Sequence, residues 1–176
     1  MININNMPYS SIIRSLYEEY YTKETPSNEY TSSLWKDCER HIEVLIDKDG
    51  NARKFRGYGF GGLENTHCIN KMVHYLCNLT YYFRLPDKRD IRQLAKTAIK
   101  ILDAMDSYLS YECFRQIYSF NSIRKHLNVA SNEEFNVLII GDGYGFLSAM
   151  IKSVYPKSRI TLVDIGKVLF FQAFNL

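Results

Sequence analysis

The apolar positions change rhythm once along the chain. Up to about residue 126 they recur at helical spacing, and from residue 135 they gather into short, β-branched blocks. From Ser10 to Thr22, the residues Ile12, Ile13, Leu16, Tyr17 and Tyr20 share a helical face, until Thr25-Pro26-Ser27-Asn28 breaks the pattern. A second helix is expected from Ser32, a suitable N-cap, presenting Leu34, Trp35, Cys38, Ile42, Leu45 and Ile46 before the turn cluster Asp47–Asn51. The glycine-dense stretch Arg56–Gly62 follows. It reads either as a loop hugging a ligand or as a connector, and the connector is favoured because no strand is expected before it.

Residues 64–83 predict a long, largely buried helix, closed by Pro86-Asp87. An amphipathic helix is expected over 90–108, with Ile91, Leu94, Ala95, Ala98, Ile101, Leu102 and Met105 on its apolar face. A further helix covers 111–126, and Asn128–Glu133 forms a polar hinge. Beyond it, Phe135–Ile140 holds an apolar run, β-branched at Val137, Ile139 and Ile140, which suits a parallel strand buried on both faces. Gly141–Gly145 make a turn, 146–154 a helix, and 159–163 a second strand ending at Asp164. A last helix starts near Gly166. The expected class is α/β: a mostly helical region over 1–130, then a βαβ unit over 131–176.

Charge and composition narrow the partners. A net charge of +3, with basic residues scattered among acidic ones, gives no patch for nucleic acid or a membrane surface. No window is long and apolar enough for a membrane span, and the amino end lacks the pattern of a secretory signal. Cys38, Cys68, Cys77 and Cys113 are far apart, which fits buried free thiols in a reducing cytoplasm rather than a disulfide framework. The sequon Asn78-Leu79-Thr80 therefore reads as chance. Tyrosine is abundant, and aromatics line sugar and nucleoside pockets as well as cores.

The chemistry concentrates in Val137-Leu138-Ile139-Ile140-Gly141-Asp142-Gly143-Tyr144-Gly145-Phe146-Leu147. Glycines at 141, 143 and 145 remove side chains where a backbone must approach a ligand closely. The spacing is shorter than a dinucleotide fingerprint, and the Lys-Ser/Thr ending of a triphosphate loop is absent. Asp164, at the end of the next strand, can accept hydrogen bonds from a ribose diol. It can also cap the last helix through a nearby backbone N–H.

VLIIGDGYGFLSAMI followed by RITLVDIGKVLFFQAFNL resembles class I S-adenosylmethionine-dependent methyltransferases, and most closely the sugar O-methyltransferases. The resemblance implies S-adenosyl-L-methionine as cofactor, with Gly141, Asp142, Gly143, Tyr144 and Gly145 forming the cofactor turn. It places the three glycines toward the methionine part and Asp164 on the ribose hydroxyls. It further implies methyl transfer to a hydroxyl of a small-molecule or glycan substrate. The family carries an acid two residues before the first glycine. This chain has Ile139 there, with Asp142 as the candidate substitute. The chain also stops after the second strand, so it reads as a truncated core whose open strands call for a homo-oligomer or a completing partner chain.

No catalytic residue is identified. His67, Cys68, His74 and Cys77 fall on one expected helix, but packed histidines and buried thiols explain them better than zinc. His41 and His126 read as single surface or core residues. Two rivals stand beside methyl transfer: a non-catalytic interaction module that needs a partner to complete its sheet, and an NAD-dependent oxidoreductase.

Overall fold

The computed structural model describes residues 43–46, 52–56, 68–86, 88–105, 107–164, 168–169 and 172–173. The expected helix over 10–22 lies outside them. So do the 57–62 glycines, Cys38, His41 and His67.

The first described element corrects the reading of the second helix. Glu43–Ile46 (β1) is a strand, paired antiparallel with Ala52–Arg56 (β2), and Glu43 faces Arg56 in the register. A short apolar run fits either period, and the Asp-Lys-Asp-Gly-Asn segment between the two runs is a hairpin signal that decides for strands. The glycine-rich stretch is therefore preceded by a strand after all, which removes the argument used against a ligand-hugging loop there.

Three helices follow: Cys68–Arg84 (α1), Lys88–Ala104 (α2) and Tyr111–Arg124 (α3). α1 stops before Pro86, because a proline disfavours helical geometry in the residue that precedes it. α2 buries Ile91, Leu94, Ala98 and Leu102, one stripe at three- and four-residue spacing, as its pattern demands. α3 starts at Ser110, whose hydroxyl accepts the Cys113 N–H at 3.2 Å, and buries Cys113, Phe114, Ile117 and Phe120.

α1 departs from expectation. It is rich in apolar residues, which predicts burial, yet Ile69, Met72, Val73, Tyr75, Leu76, Tyr81 and Phe83 are exposed and Asn78 is its buried residue. The stripe from His74 through Asn78 to Tyr82 is the part that meets the rest of the described chain. His74 Nδ1 accepts from the Tyr111 N–H at 3.0 Å, Asn78 donates to the Leu109 carbonyl at 3.0 Å, and Tyr82 packs on the core. Cys68 and Cys77 are exposed thiols, and Cys113 is the buried one among those described.

The last unit follows the pattern closely. Asn136–Ile140 (β3), Phe146–Val154 (α4) and Arg159–Val163 (β4) form a βαβ unit with β3 and β4 parallel, in register from Asn136↔Arg159 to Ile140↔Val163. The Gly141 N–H donates to the Val163 carbonyl at 2.9 Å and extends the pairing into the turn. α4 ends where Lys152 Nζ donates to the carbonyls of Pro156 and Ser158, a basic side chain closing a helix C-terminus.

Residues from α2, α3 and this unit bury into one core, which joins both sides of the 130–131 boundary. Val137, Ile139, Ile160 and Leu162 turn toward that core. On the opposite face Leu138 is 63% exposed, Ile140 74% and Val163 48%. Burial of β3 on both faces is thus corrected to burial on one. Covering both faces of a parallel sheet takes helices on both, and the described helices stand on one side.

Candidate functional site

The turn between β3 and α4 is built by three glycines with positive φ: Gly141 at 77°, Gly143 at 66° and Gly145 at 92°. Side chains are strained in this region of backbone space. At Gly141 the space is open, since an added Cβ would meet nothing within 4 Å. Gly141→Ala is therefore expected to cost backbone strain alone, about 1–2 kcal/mol. The shift of the urea midpoint at constant slope measures it, and an unchanged midpoint would contradict the left-handed geometry.

Gly145 caps α4 but has no side chain to offer its first N–H groups. Asp142 reaches in instead. Its Oδ1 accepts from the Leu147 N–H at 3.0 Å, and its Oδ2 accepts from the Ser148 N–H at 2.9 Å and from the Ser148 hydroxyl. The carboxylate is 3% exposed. Burial raises its pKa above the ordinary aspartate value, the Asp164 charge adds to that rise, and the bonds from Ser148 and Leu147 work against it. The carboxylate therefore serves the start of α4, and Ile139 is buried in the core.

Tyr144 also points inward. It is 1% exposed, its ring lies nearly parallel to that of Phe146 at 6.3 Å, and its hydroxyl meets Cys113 Sγ at 2.7 Å. The Ser110 hydroxyl donates to the same sulfur at 3.2 Å. The glycine turn is thus anchored to the start of α3 by a buried polar contact.

Asp164, half-buried at the end of β4, closes the turn from the other side. Its Oδ2 accepts from the Gly143 N–H at 3.1 Å and from Gln172 Nε2 at 2.6 Å. The same Nε2 donates to the Gly143 carbonyl at 3.0 Å. The backbone N–H groups after Asp164 through which it could cap the last helix lie outside the described residues. The structure therefore brings Gly141, Asp142, Gly143, Tyr144, Gly145 and Asp164 together. Within that cluster Gly141 is exposed and Gly143 and Asp164 are half-buried, while Gly145 is buried and the Asp142 and Tyr144 side chains fix the turn from beneath.

Three contributors were not singled out by sequence reasoning: Ser148, Cys113 and Gln172. Gln172 carried a signal, as the one polar residue in the apolar run Val168-Leu169-Phe170-Phe171-Gln172-Ala173-Phe174. The histidines and thiols of α1 do not converge: His74 is bonded to α3, and Cys68 and Cys77 face solvent. His126 is exposed. Asn78, buried and bonded to Leu109, is in no position to carry a glycan. A cleft of about 310 Å³ opens between α1 and α3, lined by Tyr75, Tyr82, Tyr108 and Phe114 beside Lys71 and Asn78. No described helix is long and apolar enough to cross a membrane. Compared with known proteins, the chain matches no family model, no curated protein and no solved structure.

Proposed function

We propose that the chain carries the first βαβ unit of a Rossmann-like S-adenosyl-L-methionine site, and that its parent activity is methyl transfer to a sugar hydroxyl. The observation that carries the cofactor half is the closed turn. Gly141, Gly143 and Gly145 keep the turn free of side chains at the carboxyl ends of two parallel strands, where ligands of open α/β sheets bind, and the Gly143 N–H is bonded to Asp164. The charge at α4 favours an adenosyl sulfonium over a dinucleotide. The Leu147 and Ser148 N–H groups that a pyrophosphate would use already hold the Asp142 carboxylate, which repels an anion. The acceptor half rests on the family resemblance, and the aromatic cleft supplies a cavity of small-molecule size.

Calorimetric titration with S-adenosylhomocysteine, beside NAD, tests the cofactor half. Micromolar binding of the first alone supports it, and binding of NAD alone or of neither overturns it. Asp164→Ala should weaken S-adenosylhomocysteine binding by about 1–3 kcal/mol, or roughly 5- to 150-fold in Kd, through loss of charge-assisted hydrogen bonds. An unchanged Kd would remove Asp164 from the ribose.

A second reading, a non-catalytic module completed by a partner or a second copy, is favoured by the exposed Leu138, Ile140 and Val163 on one sheet face. Sedimentation equilibrium decides it. A dimer that Ile140→Lys converts to monomer supports association through this face, whereas a monomer at every concentration argues against a homo-oligomer.

A further inference from the structure

Gln172 is 1% exposed, and Val168, four residues before it, is fully buried. Placing a primary amide there costs free energy unless it is hydrogen-bonded, and an apolar side chain of the same size would carry no such cost. The amide's orientation follows from chemistry. Both neighbours of Nε2, the Gly143 carbonyl and the Asp164 carboxylate, are acceptors, so the NH₂ end must face them. One nitrogen thereby bridges the turn and the acid, at 3.0 Å and 2.6 Å. The third side of the triangle is the Gly143 N–H on the same carboxylate oxygen, at 3.1 Å. Gly143 is tied at both its N–H and its carbonyl, and Asp164 Oδ2 takes donors from two separate segments of chain.

We propose that Gln172 is a positioning residue for this site, fixing the Asp164 carboxylate and the Gly143 peptide in the geometry that receives a ribose diol. The proposal rests on the adenosyl-cofactor reading. Its physical content is preorganisation. A carboxylate held before the ligand arrives loses no rotamer freedom on binding, and its orientation toward vicinal hydroxyls is set in advance. Gln172 touches no reacting atom and acts through Asp164.

The test compares ligands with and without the diol. Adenosine, 2′,3′-dideoxyadenosine and S-adenosylhomocysteine are titrated into the full chain and into Gln172→Met, with thermal melts in parallel. Gln172→Met should weaken adenosine and S-adenosylhomocysteine by about tenfold, the scale of one hydrogen bond to a charged group, and leave dideoxyadenosine unchanged. In an Asp164→Ala background the same change should have no further effect on affinity. Gln172→Glu keeps the shape, sets an acceptor against Asp164, and should show the same loss of preference if the methionine variant does not fold. An equal loss for adenosine and dideoxyadenosine would reduce Gln172 to a structural role and overturn the proposal while leaving the cofactor reading intact. Failure of the unaltered chain to bind S-adenosylhomocysteine would overturn that reading, and the positioning role with it.

Discussion

Phe146→Ala is expected to destabilise the chain by about 3–5 kcal/mol, the range for truncating a buried phenylalanine without collapse of the site. Phe146 is fully buried at the first turn of α4, inside the core that α2, α3 and the strands share. Its ring lies against Tyr144, whose hydroxyl is fastened to Cys113, so the surroundings are held from two sides and can relax little into the space left behind. Phe146→Leu keeps most of the volume and should cost less than about 1.5 kcal/mol. Guanidinium unfolding of the three proteins measures both. The alanine variant should also loosen the glycine turn and weaken S-adenosylhomocysteine, because Tyr144 loses its stacking partner. A loss under about 1 kcal/mol for alanine would mean that the turn and the helices do not share a core.

The βαβ unit was legible because each of its signals is local. A β-branched run, alternating glycines, a helix-length apolar stretch and a short strand before an acid each name their own element, and the bounds of α4 and β4 fall where the pattern puts them. α2 was legible for the same reason, since its stripe of Ile91, Leu94, Ala98 and Leu102 has one period and one partner. What failed depended on distant neighbours. Glu43–Ile46 is too short for its period to separate helix from strand, and its pairing with β2 decided. The apolarity of α1 and β3 showed that each could be buried, but which faces are covered depends on packing partners that periodicity does not name. In the site, the backbone positions were readable because glycine is needed wherever φ is positive. The side-chain roles were not. Asp142 turns to α4 because Gly145 leaves a cap unfilled, and Gln172 enters from a helix that no spacing rule links to the turn.

That unfilled cap makes Asp142 the second residue whose loss should be large. Asp142→Ala leaves the Leu147 and Ser148 N–H groups and the Ser148 hydroxyl without their acceptor, at a buried helix start. A lost N-cap costs about 1–2 kcal/mol, and stranded buried donors add to it, so a total of about 2–4 kcal/mol is expected. The effect should depend on pH, and its sign follows from burial. The folded-state pKa of Asp142 lies above the ordinary value of 3.8, so in the window just above that value the folded chain keeps a proton that the unfolded chain has released. The contribution of this group is then greatest in acid and declines as pH rises through the window to the folded pKa, above which it levels off. An asparagine at 142 has no such titration. The stability of the unaltered chain relative to Asp142→Asn should therefore fall as pH rises above the ordinary aspartate value of 3.8 and then level off, read from parallel urea unfolding curves. If the difference instead grew with pH, the carboxylate would be stabilised as an anion, and the Leu147 and Ser148 bonds would outweigh desolvation at this helix start.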